Sequence, residues 1–213
     1  MDHDGPWIVR VWLPDRPGAL GAVASRIGAV RGDVIAIDVL ERGGGRAVDE
    51  LTVSLADPSL IDLLVTEIGE VDGVDVELVR PHHGDGTDRA VQALSVAREL
   101  VEVRDPHDLL RVLCRDVCEL LGADWVAAVD TDHSYLMASA GAAPDEGWLV
   151  AFVGGLEADQ GVVDELAYSV LDSSVRGFVV VSRRSVPLRG VERATLDELV
   201  AIAQRRLADL APT

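Results

Sequence analysis

The sequence predicts an α+β protein in two parts, and three observations predict it. Apolar residues alternate in some stretches and recur at helical spacing in others. Between residues 7 and 80 these stretches follow the order β-α-β-β-α-β. A polar stretch rich in Pro and Gly, PHHGDGTD at residues 81–88, then separates this half from a second one in which helical stretches bracket strands.

The first strand is WIVRVWL, residues 7–13. Trp7, Val9, Val11 and Leu13 share one face, and Arg10 interrupts the other. From Pro17 onward Leu20, Val23, Ile27 and Val30 recur at helical spacing, with proline at an allowed first-turn position. Arg31-Gly32-Asp33 stops that helix. VIAIDVLER (34–42) and RAVDELTVSL (46–55) flank Gly43-Gly44-Gly45 and form a hairpin. Asp57-Pro58-Ser59 opens a second helix with Leu60, Leu64 and Ile68 on one face, and VDVELVR (74–80) is the last strand. Two βα units around a central hairpin make a ferredoxin-like split βαβ arrangement. Its helices cover one sheet face and leave the other in need of a partner. Strand 34–42 is the expected edge, and its Ile35, Ile37 and Val39 can continue a sheet across a two-fold axis, which predicts a homodimer.

The second half opens with helices at 89–103 and 106–121. Strands are expected at 124–130, 134–141, 148–154 and 176–184, and helices at 162–171 and 191–210. Outer helices around a central sheet make a three-layer α/β domain. The division is therefore a first domain at 1–81, a linker at 82–88 and a second domain at 89–213.

Composition narrows the partners. The net charge is −18, and the 19 basic residues are all arginine. Such a charge repels nucleic acid and anionic membranes, so neither is an expected partner. The N-terminal MDHDGPW has no basic region and no apolar run, which argues against a signal peptide. No apolar run approaches the ~20 residues of a membrane span. Cys114 and Cys118 are the only cysteines, which points to a reducing cytoplasm rather than a disulfide framework. Spaced four apart on a helix, they read as two small core-facing residues rather than a redox or metal pair.

Candidate chemistry is sparse. His82 and His83 are adjacent but lack Cys or acidic partners at ligand spacing. Asp130, Asp132 and His133 sit in DTDH, which reads as a hairpin turn before it reads as a cation site. Gly43-Gly44-Gly45 lies in a hairpin, not between strand and helix, so it is no phosphate cradle. No cofactor and no metal are expected, and the chain is read as a non-enzyme.

One corner stands apart. Asp15-Arg16-Pro17-Gly18-Ala19-Leu20 joins the first strand to the first helix. Local chemistry alone makes it a corner, with Asp to cap, Pro to start and Gly to turn. With Gly32-Asp33-Val34-Ile35 at the start of the second strand, and the β-α-β-β-α-β order, it resembles the ACT domain over residues 7–80. That small regulatory module is attached to amino-acid metabolic enzymes such as phosphoglycerate dehydrogenase and aspartokinase. The resemblance implies a small ligand, most often an amino acid, at an interface between two copies. Carried onto this chain, the ligand residues are Asp15, Arg16, Pro17, Gly18, Ala19 and Leu20 with Asp33, Val34 and Ile35. A carboxylate suits the positive start of the helix, and Gly18 allows close approach. Asp15 can hold an ammonium. Asp33 stands where family members often carry Asn, and an ionised Asp cannot donate the hydrogen bond an amide would.

The second half resembles a small GAF-type domain, on WVAAVD, its hairpin strand, and GFVVVSRRSVPLRGVERATLDELVAIAQRRL with Glu192 and Leu196 in an ExxxL helix. That resemblance implies small-molecule sensing or dimerisation. The segment 142–159 is short for a ligand-closing lid. Together the readings give a non-enzymatic cytoplasmic sensor that binds an amino-acid-like metabolite. The alternatives are a dimerisation and docking adaptor without ligand, and an enzyme with an unrecognised site.

Overall fold

The alternating stretch at the start of the chain becomes β1, Trp7–Pro14, the inner strand around which the first unit is built. The computed structural model describes residues 5–82, 88–158, 166–172 and 176–211. The chain divides into two units, Met1–Asp88 and Arg89–Thr213. Residues 83–87 of the expected linker lie outside the described residues.

In the first unit β1 is followed by α1 (Ala19–Ala29), β2 (Gly32–Gly43), β3 (Arg46–Leu55), α2 (Ile61–Gly69) and β4 (Asp75–Pro81). The sheet order is β2-β3-β1-β4, and every pair is antiparallel. β3 therefore lies between β1 and β2, and β1 lies between β3 and β4. Val9, Val11 and Leu13 of β1 meet Val23 and Ile27 of α1, Leu51 and Val53 of β3, and Leu64 and Ile68 of α2 in one buried cluster. Each fully buried aliphatic side chain there contributes about 1.5–3 kcal/mol. Gly32 is fixed by packing. A Cβ on it would stand 2.9 Å from Ile27 Cγ2, so β2 can leave the end of α1 this closely only at a glycine.

The opposite face of the sheet carries the second alternation. Ile8, Arg10, Val48, Glu50 and Thr52 lie there, all buried. The residue that interrupts the apolar pattern, Arg10, is 0% exposed and pairs with Glu50 directly across the β1–β3 ladder. Its Nε and Nη2 donate to Glu50 Oε2 at 3.0 and 2.6 Å.

The second unit contains α3 (Arg89–Glu102), α4 (Pro106–Leu121), β5 (Trp125–Asp130), β6 (Tyr135–Gly141), α5 (Glu146–Ala158), β7 (Leu166–Asp172), β8 (Arg176–Ser182) and α6 (Gly190–Leu210). Its antiparallel sheet runs β6-β5-β8-β7. Val126, Ala128, Val179 and Val181 pack against α4 and α6 on one face. Trp125, Ala127, Val129 and Val180 pack against Leu149 and Val153 of α5 on the other. The unit is thus helices, sheet, helix.

Two expectations are corrected here. The strand expected at 148–154 is helix α5. WLVAFVGGL is apolar on every side, so its period is uninformative. The deciding signal is Asp145, whose Oδ1 accepts the Trp148 N–H at 3.0 Å and caps the helix. The helix expected at 162–171 is instead strand β7, with residues 162–165 outside the described residues. Ala167, Ser169 and Leu171 are buried while Val170 is exposed, a period of two.

Candidate functional site

The Asp15 corner is built around a left-handed residue. Gly18 has φ 88° and is the N-cap of α1. A Cβ there would meet nothing within 4 Å, so the backbone angle, not crowding, requires glycine. Two expectations change. Pro17 precedes the cap and lies outside the first helical turn, and Asp15 does not cap α1, which has no side-chain cap at all. Asp15 instead donates its backbone N–H to Gly45 O at 3.0 Å, tying the corner to the β2–β3 turn. The first bonds at the helix start are Ala19 N–H to Arg16 O at 3.3 Å and Ala22 N–H to Gly18 O at 3.0 Å. The Leu20 and Gly21 N–H groups fall between them at the positive end of the helix.

An open groove of about 460 Å³ lies over this helix start. Arg16, Pro17, Gly18, Ala19, Ala22 and Arg26 line one side, and Glu70, Val71 and Asp72 line the other. Arg16 Nη2 stands 3.6 Å from Asp72 Oδ2, and Arg26 Nη1 donates to Glu67 Oε2 at 2.8 Å. Both pairs are solvated, and each contributes at most about 1 kcal/mol. They leave both charge signs beside the groove. Sequence reasoning missed Arg26, Glu70 and Asp72, because the α2–β4 turn meets α1 only through the tertiary fold.

The other predicted site residues are elsewhere. Asp33, Val34 and Ile35 open β2, where Asp33 pairs with Ser54 and Val34 with Val53, level with Trp7 at the first residue of β1. The corner follows Pro14 at the last. At roughly 3.3 Å per residue, the two sets lie about 25 Å apart, at opposite ends of one sheet. Asp33 and Ile35 are exposed, and Val34 packs on the core. β2 is a sheet edge, and its register shifts at Ile35 and again at Leu40.

A buried acid sits close to the corner. Asp49 is 3% exposed on the helix-covered face of β3, opposite Val11 and Val39, and its Oδ1 has no hydrogen-bond partner. Burial raises its pKa above the ordinary carboxylate value; the Arg42 charge opposes this and the Asp15 charge adds to it. A raised folded-state pKa means that the folded chain holds this proton where the unfolded chain has released it. Stability from this group is therefore present below the ordinary carboxylate pKa and is lost as pH rises through the folded value. Asp49→Asn is expected to raise the melting temperature at pH 7 by a few degrees, on the order of 1 kcal/mol. It should also flatten the decline in stability as pH rises above the ordinary carboxylate value, measured by thermal denaturation.

Cys114 is buried and its pKa is pushed up to about 12 by burial, while Cys118 is raised for the same reason. Neither is a reactive thiolate. Among the described residues no group of three or more His, Cys, Asp and Glu side chains could hold a metal ion. No helix among them is long and apolar enough to cross a membrane.

No protein-family model and no curated protein matches the chain. Among solved structures it is similar to the GAF domain of an Acinetobacter phosphoenolpyruvate-protein phosphotransferase, at 15% identity and a TM-score of 0.46, over 57% of this chain and 93% of that one. It is similar to free methionine-R-sulfoxide reductase from Neisseria meningitidis, at 15% identity and 0.43, over 61% and 95%. It is also similar to the ACT domain of GTP pyrophosphokinase from Chlorobium tepidum, at 16% and 0.30, over 37% and 99%.

Proposed function

We propose that the chain is a non-enzymatic regulatory sensor, with a ferredoxin-like ACT-type unit joined through residues 82–88 to a GAF-like unit. The ACT-type unit binds a small amino-acid-like metabolite at the Gly18 corner. One observation carries this reading: an uncapped helix start opens on a groove that holds both charge signs. A ligand carboxylate fits the Leu20 and Gly21 N–H groups, and an ammonium fits Glu70 or Asp72 across the groove.

The separation of Asp33 from the corner gives the homodimer its purpose. Within one chain the two sets cannot share a ligand. Two-fold antiparallel pairing of β2 edges would bring the Asp33 end of one protomer level with the Gly43 end of its partner, beside the corner. The site is complete only in a pair. On this reading the protein works in the cytoplasm and takes neither nucleic acid nor a membrane as partner.

A thermal-shift screen of the twenty amino acids and common nucleotides tests the proposal. A ligand at about 100 times its Kd adds roughly 2.7 kcal/mol, a shift of several degrees. Gly18→Val should abolish the shift while the protein stays folded, because valine at φ 88° is strained and its side chain fills the approach to the helix start. The absence of any shift in the unaltered protein would make the ligand-free docking adaptor the better reading.

A further inference from the structure

A second site lies far from the corner in sequence, at the tip of the β5–β6 hairpin. Asp130 ends β5 and is 3% exposed. Its two carboxylate oxygens both hold His133. Oδ1 accepts the His133 backbone N–H at 2.8 Å, and Oδ2 stands 3.1 Å from ring Nδ1. Ser134, at φ 55°, closes the turn. The His133 side chain is 77% exposed while the Asp130 side chain is 4% exposed. The imidazole therefore projects into water with its carboxylate buried behind it.

Turn-making explains only half of this. An Asx turn needs the Oδ1 bond alone. The second oxygen grips the ring and sets its tautomer. An ionised carboxylate only accepts, so the neutral ring carries its proton on Nδ1 and presents the Nε2 lone pair to solvent. A carboxylate in this place also offsets positive charge that forms on the ring.

We propose that His133 is a phosphoryl-acceptor imidazole, held as a nucleophile by the buried Asp130 carboxylate. The donor is of the phosphoramidate class, with phosphate on nitrogen. Nε2 attacks phosphorus, and the P–N bond of the donor breaks. The electron pair goes to the donor nitrogen, which takes a proton from solvent. The ring keeps its Nδ1 proton and becomes cationic, and Asp130 offsets that charge. Exposure selects this chemistry. A ring protruding from a hairpin tip reaches into another molecule's site rather than enclosing a substrate. A phosphoryl group on nitrogen persists in water long enough to be passed on, whereas an exposed acyl imidazole hydrolyses. Asp132, exposed and next to His133 in the chain, repels a free anionic donor, so salt should speed the reaction.

The full chain is treated with potassium phosphoramidate, the modified residues are identified by mass spectrometry, and the nitrogen is assigned by phosphorus NMR. His107 is the internal control: it is exposed and its ring makes no hydrogen bond to a described residue. His133 should react about tenfold faster than His107, at Nε2 only, as expected for an oriented, carboxylate-backed imidazole. Asp130→Asn keeps an oxygen for the turn N–H and should bring His133 down to the His107 rate, with an Nδ1 product appearing. A His133-to-His107 ratio near one in the unaltered protein overturns the proposal, whether or not Asp130→Asn folds. An unchanged rate in a folded Asp130→Asn overturns it as well.

Discussion

Glu192→Ala should cost the second unit about 3–5 kcal/mol, because it strands a buried guanidinium. Arg183 is 4% exposed, and all five of its donors are used. Nη1 and Nη2 donate to Glu192 Oε1 and Oε2, both at 2.7 Å. Nη1 also reaches Leu121 O at 2.8 Å, Nε reaches Val186 O at 3.0 Å, and Nη2 reaches Pro187 O at 2.9 Å. One side chain thus joins the end of α4, the loop before α6 and the start of α6. Glu192 is 0% exposed and closes a capping box, since its Oε2 accepts the Arg189 N–H at 2.8 Å. Removing the carboxylate loses the charge partner and a helix cap together. Arg183→Lys should also be costly, because one ammonium cannot serve a bidentate carboxylate and three carbonyls at once. Denaturant unfolding followed by tryptophan fluorescence measures both. A loss below about 1 kcal/mol for Glu192→Ala would mean that the pair is solvated, as surface pairs are.

This network shows where sequence reading stops. Glu192 drew notice as part of an ExxxL helix, but nothing in the sequence pairs it with Arg183 in particular. Late arginines look like a solvated charged face until a fold buries one of them. Periodicity worked where one face is wet or one side is packed: the alternation of β1, the helical spacing of Leu20, Val23 and Ile27 in α1, and the turn residues between β2 and β3. It failed on α5, where apolar residues on every side erase the period and only the Asp145 cap decides. It failed again on β7, where Leu166 and Ala167 have helix-forming side chains and sheet pairing with β8 overrides them. The corner was legible because Gly18 is needed for its backbone angle. The groove over it was not, because Glu70 and Asp72 reach it from across the fold. The distance between Asp33 and the corner was not legible either. It follows from β2 running antiparallel to β3 with its first residue at the Leu55 end.

Arg10→Ala should destabilise the first unit by about 3–5 kcal/mol, the largest effect expected of any single side chain there. In the sequence Arg10 looks like an interruption of a sheet face. In the fold it is the largest fully buried side chain of β1, and Glu50 at 3% exposure lies directly opposite on β3. Both side chains lose water on folding, which is costly, and their mutual bonds at 2.6 and 3.0 Å offset that cost only while both are present. Deleting either takes the cross-strand charge partner from a buried group, so Glu50→Ala should be about as harmful as Arg10→Ala. Deleting both should cost clearly less than the sum of the singles, with a coupling of about 1–3 kcal/mol. Global unfolding in urea gives all three values, and the change should appear in the midpoint rather than the slope. Strict additivity would mean that the two charges are stabilised independently. The buried face of this sheet would then owe its specificity to something other than the β1–β3 pair, and the register set by Arg10 opposite Glu50 would tolerate apolar residues at both positions.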